Sequence, residues 1–148
     1  MIRARALLAA VNDDFLDGVA LWLADEPLLE LVGRAHSGAE TLQRVDEMSL
    51  DLVLADVALP DMSGFEVVRR IKSRPDPCLV VLLSFHDSQA ARLEALAAGA
   101  DGFVAMSETV DRLIPLVGDL LRRRAEADRN EGSGIPTTRV KNLRVGGP

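Results

Sequence analysis

An unbroken apolar run, Leu52-Val53-Leu54-Ala55, ends abruptly on a carboxylate, Asp56. Such a run with no polar alternation reads as a strand buried on both faces, the habit of parallel sheets. Pro60 and Gly64 then shape a turn into a helical pattern. Open α/β sheets gather their ligands beyond the carboxyl ends of buried strands. Asp56 is therefore a site residue or, on the simpler reading, a turn or helix-capping acid.

The rest of the chain repeats the same unit. Ala4 to Ala10 reads as a first strand, and Asp13 or Asp14 caps a helix with Phe15, Val19, Trp22 and Leu23 on its apolar face. Leu29 to Ala35 is a second strand, and Ser37-Gly38 opens a helix carrying Leu42, Val45 and Met48. After the Asp56 strand, Ser63 caps a helix with Phe65, Val68 and Ile71 inward, closed by Pro75 and Pro77. Leu79 to Leu83 is the fourth strand, followed by the loop Ser84-Phe85-His86-Asp87. A helix from Ala91 to Ala98 stops at Gly99, and Asp101 to Ala105 is a short fifth strand. A last helix spans about Glu108 to Arg124. Pro115 inside it removes a backbone donor and clashes with the preceding turn, which predicts a late start near Asp111 or a kink at Ile114.

Strands joined by helices must run parallel, and right-handed crossovers put helices on both faces of the sheet. The expected fold is α/β, a five-stranded, doubly wound, flavodoxin-like sheet of order 2-1-3-4-5. It occupies residues 1–125. Residues 126–148, poor in apolar side chains and marked by Gly132-Ser133-Gly134, read as a linker or disordered tail.

Composition limits what this fold can do. A net charge of −6 makes a polyanion-binding surface an unlikely default. A single cysteine, Cys78, rules out an internal disulfide and a multi-cysteine metal site, and suits a core position. The apolar stretch Ala6 to Val11 stops at Asn12-Asp13-Asp14, too short for a signal-peptide core, and no run is long enough to cross a bilayer. These features lead us to expect a cytoplasmic location. No nucleophilic triad, glycine-rich phosphate loop or zinc spacing is present, so an enzyme acting on small molecules is not expected.

In order and spacing, several pieces together resemble the receiver domain of two-component response regulators, over roughly residues 3 to 124. Asp56-Val57-Ala58-Leu59-Pro60-Asp61-Met62-Ser63-Gly64 resembles the phosphoacceptor motif, and Val81-Leu82-Leu83-Ser84 the strand that ends on Ser or Thr. Gly99-Ala100-Asp101-Gly102-Phe103 is similar to the turn that carries the switch aromatic. Phe15-Leu16-Asp17-Gly18 and Val32-Gly33 resemble the subclass with a C-terminal helix-turn-helix. The resemblance implies a phosphorelay role. Asp56 would accept a phosphoryl group from a histidine kinase or phosphotransfer protein, Ser84 would hydrogen-bond it, and Phe103 would change rotamer. It also implies a homodimer through the fourth helix, fifth strand and fifth helix. DNA would be reached only through an output domain that this chain does not carry.

The resemblance implies Mg²⁺ as well, held by Asp56 and an acidic pair after the first strand, with a Lys after the fifth. Read without gaps, those positions fall on Ala10, Val11 and Met106. None can ligate a cation or supply a charge, so impaired or atypical Mg²⁺ dependence is expected. Asp13 and Asp14 could substitute only through a deletion inside the first helix, and first-turn acids are favoured there by the helix dipole in any case. The other reading is a phosphorylation-independent pseudo-receiver, an interaction or dimerisation module. Asp61 reads as a turn residue, His86 as a solvent-exposed loop residue, and His36 as lying away from the site.

Overall fold

The computed structural model describes residues 3–132. Its elements are β1 (Ala4–Ala9), α1 (Asp13–Leu23), β2 (Leu29–Ala35), α2 (Gly38–Glu47), β3 (Leu52–Asp56), α3 (Gly64–Lys72), β4 (Leu79–Ser84), α4 (Gln89–Ala98) and β5 (Gly102–Ala105). A 3-10 turn, Met106–Glu108, leads into α5 (Thr109–Gly132). All neighbouring strands pair in parallel, in the order β2-β1-β3-β4-β5, as expected from the sequence.

Every residue of β3 and of β4 is buried, which explains why both strands are apolar throughout rather than alternating. Side chains still alternate between faces. Leu7, Val53, Ala55, Val80 and Leu82 share one cluster with Val67, Val68 and Ile71 of α3 and Ala95 and Ala98 of α4. Leu8, Leu54 and Leu83, of opposite parity, are equally inaccessible. Fully burying each such leucine contributes about 1.5–3 kcal/mol, so the central strands hold the end of β3 in place.

The caps were only partly readable. Ser37, Ser63 and Ser88 each accept the amide hydrogen bond that starts a helix, and Gly99 closes α4 with φ 100°. Asp13 and Asp14 do not cap α1. Asn12 does, accepting from Phe15 N at 2.9 Å, and the two acids form the first turn.

The last helix departs most from expectation. It starts at Thr109, after the 3-10 turn, rather than near Asp111, and Pro115 lies in its interior. It also continues past Arg124 to Gly132. Residues 126–132 are thus helical: Ala, Glu and Arg are strong helix formers, and low apolar content alone does not prevent a polar helix. The remaining tail, 133–148, lies outside the described residues. The chain clusters into two compact units that part between Ile114 and Pro115.

Candidate functional site

The register brings the expected residues to one sheet edge. Ala9 pairs with Ala55, which places Ala10 beside Asp56. Asp56 pairs with Leu83, one residue before Ser84, and Ser84 pairs with Ala105, one residue before Met106. The C-terminal ends of β1, β3, β4 and β5 therefore carry Ala10, Asp56, Ser84 and Met106 side by side.

Asp56 is 8% exposed. Its Oδ1 accepts from the Ala58 amide at 2.9 Å. Desolvation pushes its pKa above the ordinary carboxylate value, and the Ala58 amide only partly opposes this. Among the described residues no cationic side chain contributes, in keeping with Met106 at the position after β5.

The loop that follows is tightly built. Val57 N donates to Leu83 O at 2.9 Å, Gly64 N donates to Val57 O at 2.7 Å, and Ala58 and Ser63 form an antiparallel bridge. Asp61, expected to be a turn residue, reaches further: its carboxylate accepts from Gly38 N at 2.7 Å and Ala39 N at 2.8 Å, at the start of α2. These amides hold the Asp61 carboxyl below its usual pKa. The sequence signal was an acid in the loop opposite a helix that opens on a glycine. The pairing itself crosses the fold and could not be read locally.

Ser84 is buried, but its hydroxyl serves its own loop, donating to His86 O at 2.9 Å and accepting from His86 N at 3.1 Å. It makes no hydrogen bond to Asp56 among the described residues. Phe103 packs half-buried against the α3 and α4 core, with the Arg92 guanidinium 5.0 Å from its ring centre. Arg92 also bonds Asp87 at 2.7 Å and approaches Glu108 at 3.8 Å. Sequence reading passed over this arginine. Met106 is half-exposed and lines a surface groove of about 250 Å³ with Phe15, Trp22 and Val110.

This donor set does not fit Mg²⁺, which takes octahedral oxygen ligands. Ala10 offers only a methyl group at 1% exposure, and Val11 is apolar and 52% exposed. Asp13 is committed elsewhere, bonded to His36 Nε2 at 2.8 Å. That bond raises the His36 pKa above its ordinary value. Among the described residues no group of His, Cys, Asp and Glu is clustered to hold a metal ion.

The family described as "Response regulator receiver domain" matches residues 8–117. The transcriptional regulatory protein UhpA of Escherichia coli is 34% identical over 114 residues, covering 75% of this chain and 57% of that protein. The DNA-binding transcriptional activator DevR/DosR of Mycobacterium tuberculosis is 32% identical over 118 residues, covering 80% and 54%. The chain thus spans about half the length of these curated relatives. Among solved structures, a two-component response regulator of the LuxR family from Aurantimonas sp. SI85-9A1 superposes with a TM-score of 0.77 at 25% identity, covering 82% of this chain and 86% of that one. The family match over residues 8–117, the relatives and the fold together show that this chain belongs to the receiver-domain family of two-component response regulators.

Proposed function

We propose that Asp56 takes up a phosphoryl group from the phosphohistidine of a histidine kinase or phosphotransfer protein, and does so without the Mg²⁺ that receiver domains generally bind. The observation that carries this reading is a buried carboxylate at the end of β3, with one oxygen oriented by the Ala58 amide. In the transfer, a carboxylate oxygen of Asp56 attacks phosphorus. The P–N bond breaks as the new P–O bond forms, and the imidazole nitrogen keeps the electron pair. Positioning and charge neutralisation dominate such transfers. The Ala58 amide orients the nucleophile here. Losing a metal's charge stabilisation, about 4 kcal/mol, would slow transfer roughly a thousandfold.

Ser84 would reach the transferred group only after releasing His86, and Phe103 would then shift beneath Arg92. A homodimer through α4, β5 and α5 is part of the proposal; the exposed Phe85, Leu93 and Leu96 support it on the α4 side alone. No helix among the described residues is long and apolar enough to cross a membrane, and a cytoplasmic setting is part of the proposal.

Acetyl phosphate followed by intact-mass analysis tests the central step, with a conventional receiver labelled alongside. One phosphoryl adduct is expected, absent in Asp56→Asn. No adduct on the wild-type chain would overturn the proposal in favour of the phosphorylation-independent module. The nucleophile is the ionised form, so uptake should rise with pH through the raised pKa of Asp56. The same burial gives a stability signature. A folded-state pKa above the unfolded value means the ionised carboxylate destabilises the fold. That penalty is full above the folded pKa and gone below the ordinary one. Asp56→Asn should therefore melt higher than wild type at neutral pH, with the gap closing as pH falls.

A further inference from the structure

We propose that Asp61 is a positioning residue for phosphoryl transfer, its carboxylate fastening the 57–63 loop to the start of α2 and so fixing the attacking oxygen of Asp56. The inference rests on the phosphoacceptor reading of Asp56. Its physical path is continuous. The Asp61 oxygens take the Gly38 and Ala39 amides separately, at 2.7 and 2.8 Å. These are first-turn donors of a helix, which have no intrahelical partner and favour a negative charge. Ser37 caps the same helix through a different amide, that of Glu40, at 3.0 Å.

Packing closes the joint from the other side. Met62 lies against Gly38 so closely that a Cβ there would overlap its side chain. The loop is thus gripped at Asp61 and Met62, and bridged to itself at Ala58 and Ser63. Ala58, in the fixed part, donates the hydrogen bond that orients Asp56 Oδ1. A carboxylate with no cation to orient it depends on that amide alone among the described residues. Small misplacements of a nucleophile are expensive in rate, up to about a hundredfold for roughly 1 Å.

Two variants separate positioning from mere stability. Asp61→Ala releases the loop. Ser37→Ala weakens the same helix start without touching the loop. Both are measured on the full chain, well below their melting temperatures, by amide hydrogen exchange at Ala58 and by labelling with acetyl phosphate. Asp61→Ala should speed Ala58 exchange and slow labelling by about ten- to a hundredfold, while Ser37→Ala leaves both near wild type. Asp61→Asn, which keeps one acceptor oxygen, should fall between. A labelled wild type with Asp61→Ala labelled equally fast, or with Ala58 exchange unchanged, overturns the positioning role alone. A wild-type chain that takes no phosphoryl group overturns the phosphoacceptor reading, and the positioning role with it.

Discussion

Ala10→Asp should lower the melting temperature by about 10 °C at neutral pH. Ala10 is 1% exposed and sits beside Asp56 in the β1–β3 pairing. The new carboxylate would be buried without a partner, next to a second acid whose ionisation burial already disfavours. An uncompensated buried charge costs about 3–5 kcal/mol, and a chain of this length loses roughly 2–4 °C per kcal/mol. The sign with pH follows. Both acids have folded-state pKa values above their unfolded ones, so the penalty is full above the folded values and fades as the solution becomes acidic. Thermal melts in chelator and in Mg²⁺ check the idea. The variant, with a second oxygen donor beside Asp56, should regain stability when Mg²⁺ is added, since a ligand that binds only the folded state stabilises it. Wild type should show no such shift. A variant as stable as wild type in chelator would contradict the burial of position 10 beside Asp56.

Gly64→Ala should be the most damaging small change around the loop that follows Asp56. A Cβ at Gly64 would sit 2.7 Å from the Asp56 carbonyl oxygen and 2.8 Å from Val57 Cα, with Leu82 Cδ2 at 3.0 Å. The two closest atoms are backbone, so no rotamer change relieves them. Helix α3 and the end of β3 would have to part, straining the bond from Gly64 N to Val57 O. Overpacking of this kind costs about 1–3 kcal/mol, and here it displaces Asp56, the proposed nucleophile. Gly18→Ala is the matched comparison. It lies inside α1 with nothing within 4 Å of its added methyl, and should stabilise by roughly 0.5–1 kcal/mol. Urea melts of both variants, with acetyl phosphate labelling where each is folded, read the two signs. A neutral Gly64→Ala would mean that the loop adapts and does not hold Asp56.

The central strands β3 and β4 were legible because each is an apolar run of the length a buried strand needs, and the alternation of five strand-length segments with helices left one parallel order. The sheet edge was legible for the same reason: once register follows from topology, Ala10, Asp56, Ser84 and Met106 must end neighbouring strands. What sequence could not give were contacts that cross the fold. Asp61 looks like any turn acid until α2 is brought against it. Asp13 looks like a cap or a ligand until His36 takes its carboxylate. Ser84 ends β4 where expected, but the turn by which its hydroxyl satisfies itself on His86 could not be read from the strand pattern. The extension of α5 to Gly132 was hidden by treating polar composition as a sign of linker, when propensity alone allowed helix through Ala125, Glu126 and Ala127.

The rate at which Asp56 gains a phosphoryl group from acetyl phosphate, measured side by side in Mg²⁺ and in chelator, bears most directly on this account. With Ala10 and Met106 at the neighbouring strand ends and no clustered metal ligands among the described residues, the two rates should coincide. A rate that climbs saturably with Mg²⁺ and collapses in chelator would show that the ion finds ligands here that Asp56 and its neighbours do not provide.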